Sequence, residues 1–130
     1  MEFMGYKIKF GIEATTKTGV LKKIKEVEEL NGGDVEYIEA ILEVVPELLL
    51  VGLQKNHNDE FGYDYDSNEG KETAISKVYG LIDDYVDQDD SSLRELFIDL
   101  TKEVMRNGFF KKEMAQIEKN EKKKPVKVVK

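Results

Sequence analysis

The residues that come nearest to a chemical motif are Asp64, Asp66 and Asn68, which alternate as the first ligands of a calcium-binding loop do. The rest of that pattern is missing. Its sixth position holds Glu69 where glycine is needed, and its twelfth holds Ile75 where a bidentate glutamate is needed. Because acidic residues also alternate in ordinary solvated loops, calcium binding is the weaker interpretation. We predict neither a metal nor a cofactor.

Nucleophilic and acid–base catalysis lack their usual residues. The chain has no cysteine and one histidine, His57, and none of its serines lies in a strained elbow motif. The carboxylates between Asp83 and Asp90 lie at a helix end and a turn, where solvated charge explains them better than a catalytic pair. The glycine pair Gly32 and Gly33 lacks the lysine and hydroxyl of a phosphate-binding loop. The sequence therefore predicts a protein that is not an enzyme.

Partner contacts are the remaining candidates for a functional site. Phe61, Tyr63 and Tyr65 alternate in a long acidic loop, and aromatic side chains in such a loop suit partner binding. The equally weighted alternative is that they fold back over the core. Phe109 and Phe110 are further candidates for partner binding, although a plug in the core explains that pair better.

Two amphipathic helices joined by an acidic turn are the clearest elements of the predicted fold. Apolar residues recur at i, i+3, i+4, i+7 and i+11, first from Ile75 and again from Leu93. Ser92 is placed to cap the second helix in a capping box with Glu95. Because the connecting turn is short, we expect the two apolar faces to meet in a helical hairpin.

A turn at residues 15–18 and two helices, at residues 20–30 and 34–45, precede this pair, and each helix shows one apolar face. In the second helix that face holds Ile38, Ile41, Leu42 and Val45. Pro46 lacks a backbone N–H and disfavours helix at the residue before it, so we expect a break there. The helix predicted after the break, at about residues 47–55, is apolar on nearly all sides and belongs at the centre of the core. Gly52 within it would allow a neighbouring backbone to approach closely.

The first residues show the alternation of a half-buried strand. Four apolar residues alternate with polar or small ones: Tyr6, Ile8, Phe10 and Ile12. We expect this strand to pair with residues 1–4 across Gly5. Its free edge, at Tyr6, Ile8 and Phe10, is the predicted surface for self-association.

Together these patterns predict a mainly α domain with a short N-terminal strand or hairpin over residues 1–124, followed by a basic, disordered tail at 125–130. The net charge is −7, but residues 111–130 hold eight lysines and three glutamates, so residues 1–110 carry −12. An acidic body repels phosphate backbones, which argues against nucleic-acid binding. The lack of a long apolar run and of a secretory signal favours a soluble intracellular protein.

Phe10-Gly11 closes the predicted strand, apolar helices follow, and Asn107-Gly108-Phe109 introduces a final lysine-rich helix. Over about residues 6–124, this order of segments resembles the tail assembly chaperones of long-tailed phages and prophages of Gram-positive bacteria. The resemblance implies a protein that coats the tape-measure protein, keeps it soluble and helps recruit tail-tube subunits. It also implies self-association, action in the host cytoplasm and absence from the mature virion. The other interpretation is a small helical adaptor or regulator of another phage or host protein.

Overall fold

The computed structural model of this protein describes residues 1–105, 112, 115–117 and 119. Through residue 105 it contains one hairpin of two short strands and six helices: β1 (Glu2–Phe3), β2 (Tyr6–Lys7), α1 (Ile12–Thr18), α2 (Val20–Glu28), α3 (Val35–Leu53), α4 (Asn58–Phe61), α5 (Lys71–Val86) and α6 (Leu93–Met105). The strands pair antiparallel. The predicted class, mainly α with a small N-terminal β element, is confirmed.

Helix α3 is the centre of the core, as its apolar composition predicts. In its second half the side chains are almost all buried: Val44, Val45, Pro46, Leu48, Leu49, Leu50, Val51 and Leu53. Helices α2, α5 and α6 each pack on α3. The expectation that α5 and α6 face each other is wrong, because both apply their main apolar faces to α3. A central helix that is apolar on several sides can cover both stripes at once.

Pro46 does not break the helix. Helix α3 runs without interruption from Val35 to Leu53 with Pro46 buried inside it, so the predicted boundary is wrong. A proline inside a helix costs about 3 kcal/mol, because it removes one N–H and crowds the preceding turn. Complete burial of a leucine contributes about 1.5–3 kcal/mol, and Leu48, Leu49, Leu50 and Leu53 are all fully buried. Tertiary packing therefore outweighs the local penalty.

The N-terminal hairpin turns through Met4 and Gly5, whose φ angles of 50° and 87° are both positive. Positive φ at both central residues is the geometry of a type I′ turn, which matches the twist of the paired strands. Phe3 lies opposite Tyr6 in the register, and Phe3 is buried. The predicted pairing across Gly5 is thus confirmed.

The predicted strand is shorter than its alternation suggests. It ends at Lys7, and Ile12 begins α1 with 65% of its surface exposed. The turn expected before α2 is instead part of α1, and Gly19, with φ of 68°, separates the two helices. The strand ends early because of the element that lies beside it. Beyond Lys7 the chain lies on α3, which offers no second strand edge to pair with.

Close approach to α3 depends on Gly52. The backbone N–H of Lys9 donates to the carbonyl of Gly52 at 2.9 Å. Ile8 and Phe10 lie over this glycine. A Cβ added at Gly52 would stand 2.6 Å from Ile8 Cγ2 and 3.2 Å from Phe10 Cζ. The close backbone approach predicted at Gly52 is therefore confirmed, and the segment that approaches is the one after β2.

Half of the predicted capping box is present at the start of α6. Ser92 Oγ accepts a hydrogen bond from the backbone N–H of Glu95 at 3.2 Å. The reciprocal bond comes from a different residue, because the N–H of Ser92 donates to Tyr85 Oη at 2.9 Å. The Tyr85 hydroxyl in turn donates to the carbonyl of Ser92 at 3.1 Å. One tyrosine thus ties the end of α5 to the start of α6.

Candidate functional site

The aromatic residues of the loop between α3 and α5 are turned toward the core. Phe61 is only 1% exposed, and Tyr63 and Tyr65 are half-buried with their rings edge to face at 5.2 Å between centroids. This arrangement matches the alternative in which the aromatic side chains fold back over the core. Partner binding by these residues stays a prediction.

A buried glutamine fastens this loop to α3. Gln54 Nε2 donates to the carbonyls of Leu50 at 3.1 Å and Phe61 at 2.7 Å. Gln54 Oε1 accepts from Tyr65 Oη at 3.1 Å. Buried polar side chains are tolerated when their hydrogen bonds are made, as they are here. Nothing in the sequence pattern distinguishes Gln54 from the polar residues that surround it.

The same burial makes the loop tyrosines weaker acids. Burial, with smaller contributions from the charges of Glu47 and Tyr65, raises the pKa of Tyr63 to about 12. Burial also raises the pKa of Tyr65, with a smaller contribution from Glu13. Both phenols are therefore neutral at physiological pH and act as packing and hydrogen-bonding groups.

The carboxylates of the calcium-like motif are engaged within the protein. Asp64 Oδ1 accepts hydrogen bonds from the N–H groups of Asp66 at 2.9 Å and Ser67 at 3.4 Å. These bonds, that of Asp66 first, lower the pKa of Asp64. Asp66 pairs with Lys17 Nζ of α1 at 3.1 Å. In the described part of the chain no three histidine, cysteine or acidic residues form a group that could hold a metal ion.

The only histidine joins the hairpin to α4. His57 Nε2 accepts a hydrogen bond from the backbone N–H of Lys7 at 3.1 Å. The ring of Tyr6 packs edge-on against His57, with centroids 4.9 Å apart. Tyr6 Oη donates to Glu60 Oε2 at 2.7 Å, and this bond raises the pKa of the phenol. These contacts fix the hairpin in place.

The residues predicted for self-association are largely used inside the chain. Ile8 and Phe10 are 2% and 3% exposed, and Tyr6 is half-buried. The N–H of Ile8 donates to the carbonyl of Met1 at 2.9 Å and so continues the hairpin pairing. On the other edge, the N–H of Lys7 donates to His57 Nε2 at 3.1 Å, so part of the free backbone edge is also occupied. Self-association stays a prediction. Phe109, Phe110 and the 124/125 boundary lie outside the described residues.

One apolar face of α3 is partly exposed, which the sequence pattern alone did not reveal. Apolar residues or glycine follow each other along α3 at alternating spacings of three and four: Val35, Ile38, Leu42, Val45, Leu49 and Gly52. The last three are buried, whereas Val35, Ile38 and Leu42 are 69%, 57% and 53% exposed. We name these exposed three the α3 stripe. The spacing predicts one face for Ile38, Ile41, Leu42 and Val45, but only Ile41 and Val45 of that face are buried.

The α3 stripe is bordered by a buried apolar residue on one side and by exposed acidic residues on the other. Helical periodicity places buried Ile41 on one side and exposed Glu39 on the other, with Glu36 and Glu43 beyond Glu39. Residues 34–47 include five acidic residues and no basic one. The stripe is thus an apolar surface between the core of the domain and a ridge of carboxylates.

A cleft of about 570 Å³ lies between α2 and α3. Helical periodicity places it on the far side of that carboxylate ridge from the α3 stripe. Its floor is apolar and its rim mainly acidic; the lining residues are Lys23, Glu26, Val27, Leu30, Ala40, Glu43, Val44 and Glu47. Glu47 pairs with Lys71 Nζ at 3.1 Å. Glu43 therefore stands between two apolar surfaces, the cleft and the stripe.

This arrangement can hold an apolar helical segment, since three aliphatic side chains on a rigid helix present a row of the spacing used by packed helices.

No helix in the described part of the chain is long and apolar enough to cross a membrane. Comparisons with protein families, curated proteins and solved structures found no match to this chain.

Proposed function

We propose that this protein is a phage tail assembly chaperone. It binds the tape-measure protein, keeps it soluble and helps recruit tail-tube subunits in the cytoplasm of the bacterial host, and it is left out of the mature virion. The observation that carries the proposal is the α3 stripe, where Val35, Ile38 and Leu42 are each more than half exposed. The client, the tape-measure protein, is taken from the resemblance of the order of segments to tail assembly chaperones.

The stripe suits a holding function because it is apolar and rigid. The second half of α3 is buried among α2, α5 and α6, and in the first half Ile41 is buried while Tyr37 and Ala40 pack against the core, so the stripe lies on a fixed base. A surface fixed before binding loses little conformational entropy when a partner docks. Helix-in-groove recognition uses apolar anchors at the spacing that the stripe presents.

The charge of the domain suits a protein that must keep an apolar client in solution. Residues 1–110 carry a net charge of −12. Such a charge, carried on the outside of a coated client, opposes aggregation of one coated molecule with another. The chaperone acts by binding alone, without a chemical step.

Co-expression with the tape-measure protein of the same genome tests this function. We expect the wild-type chain to keep that client soluble and to co-purify with it, and we expect Leu42→Asp to leave it in the pellet. Ile12→Asp is the matched control, because Ile12 is an aliphatic residue, 65% exposed, on α1 rather than on the stripe. A client that stays insoluble and unbound with the wild-type chain refutes the chaperone function. Rescue by Leu42→Asp refutes the stripe as its binding surface.

A further inference from the structure

We propose that the α3 stripe recognises a basic amphipathic helix. Apolar residues of that helix lie against Val35, Ile38 and Leu42, and its lysine or arginine side chains face Glu39 and Glu43. The inference rests on the proposed function and names the chemical class of client segment that the stripe selects.

The spacing along α3 argues for a helical occupant. Alternating steps of three and four residues form the seam that one helix offers to another at a shallow crossing angle. At Gly52 this seam is covered by Ile8 and Phe10 of the same chain. The seam continues past this cover toward the start of α3, where nothing in the described part of the chain buries it.

The charges beside the stripe argue for a basic occupant. Glu36, Glu39 and Glu43 are exposed, and none of them has an ion-pair partner among the described residues. By contrast, Glu47 on the same helix is paired with Lys71. A helix seated on the stripe brings its flanking side chains beside this ridge. Lysine or arginine at those flanks is therefore favoured and glutamate is disfavoured.

A second copy of the chain fits this surface poorly. Residues 34–47 contain five acidic residues and no basic one, so two stripes placed face to face bring like charges together. The chain's own lysine-rich segment, residues 111–130, is the other basic candidate. Its described residues, 112, 115–117 and 119, are all exposed, which does not match a helix seated on an apolar stripe.

Binding of designed helical peptides to the full chain tests the inference. Three peptides of about three heptads share one apolar seam and differ only at the flanking positions, which hold lysine, glutamine or glutamate. In fluorescence anisotropy at low salt we expect the lysine peptide to bind about fivefold tighter than the glutamine peptide. The glutamate peptide should bind more weakly than both. Leu42→Asp should abolish binding of all three.

Charge reversal on the protein supplies the decisive comparison. In Glu39→Lys/Glu43→Lys the order of the three peptides should invert. In Asp83→Lys/Asp84→Lys, which reverses two exposed carboxylates on α5, the order should stay as in the wild type. Equal binding of the lysine and glutamate peptides overturns the inference. So does an unchanged order in the Glu39→Lys/Glu43→Lys variant.

Two further outcomes identify a different occupant. A dimer in light scattering that Leu42→Asp dissociates assigns the stripe to a second copy, and so overturns the inference. A more than tenfold gain in lysine-peptide affinity on removal of residues 111–130 assigns the stripe to the chain's own basic segment, and so overturns a client segment as its occupant. If no peptide binds while the tape-measure protein still co-purifies, the inference fails and the proposed function stands. If the lysine peptide is still preferred but the tape-measure protein stays insoluble, the proposed function fails and the charge preference of the stripe stands.

Discussion

Replacing Gly52 with alanine tests how the N-terminal segment is held on α3. The new methyl group would stand 2.6 Å from Ile8 Cγ2, which is well inside van der Waals contact. Ile8 is 2% exposed and β-branched, so it has few ways to move aside. The segment from Ile8 to Phe10 must therefore shift away from α3, which strains the 2.9 Å hydrogen bond from Lys9 N to the Gly52 carbonyl.

The magnitude follows from three contributions of different sign. Alanine in place of glycine inside a helix stabilises by about 1 kcal/mol. Overpacking a filled core costs about 1–3 kcal/mol, and a weakened backbone hydrogen bond costs about 1 kcal/mol more. We expect Gly52→Ala to lower the free energy of unfolding by about 1–3 kcal/mol, because the two penalties together exceed the gain in helix propensity.

Gly80 is the matched control within α5. A Cβ added at Gly80 meets nothing within 4 Å, so only the propensity gain remains. Gly80→Ala should therefore raise the free energy of unfolding by about 0.5–1 kcal/mol. Urea denaturation followed by circular dichroism measures both variants, and a shared m-value shows that only stability has changed.

A double-mutant cycle separates the steric cause from other effects. Ile8→Ala alone should cost about 2–5 kcal/mol, because it leaves a cavity. Combined with Gly52→Ala it should cost about 1–2 kcal/mol less than the two single changes together, because the new methyl group then has room. If Gly52→Ala is as stabilising as Gly80→Ala, the close packing described for this segment is refuted.

Three further outcomes are expected. Gln54→Leu should cost about 2–3 kcal/mol in urea denaturation, because the Phe61 carbonyl and Tyr65 hydroxyl lose their buried partner; an unchanged midpoint would show that water replaces it. Burial raises the pKa of Tyr63 to about 12, so the stability it contributes is complete below pH 10 and falls as the pH rises toward 12; among the phenols whose titration is delayed in tyrosinate absorbance, Tyr63→Phe should remove the one that titrates near pH 12. Ser92→Ala should cost about 1 kcal/mol, since Oγ caps α6; Ser92→Asp should restore most of it.

Local pattern was a good guide wherever one helix face meets one neighbour. Leu96, Phe97, Leu100 and Val104 of α6 are buried as their spacing predicts, and Ser92 caps the helix they form. Such faces are short-range features, because residues three and four apart share a side of the helix whatever the fold. The glycine at position 52 was also readable, since its place in an apolar helix marks a close contact.

The sequence predicted the candidate site only in part. The aromatic residues Phe61, Tyr63 and Tyr65 stand out in the sequence, yet their side chains lie against the core, fastened by Gln54. The α3 stripe carries an equally regular pattern, but regular spacing identifies a face without saying what covers it. Which apolar face is left exposed depends on how many neighbours reach the helix, and that is a property of the whole fold.

Composition and periodicity by themselves determined that this chain folds as an acidic, mainly helical domain built around the segment near Leu48. Tertiary structure alone decided that Pro46 lies inside a continuous helix, because burial of the surrounding leucines outweighs the proline penalty. It also decided that one helix has two surroundings. Val45 and Leu49 are covered while Ile38 and Leu42 are exposed, because the neighbouring elements bury the second half of α3 and leave the outer face of the first half to solvent.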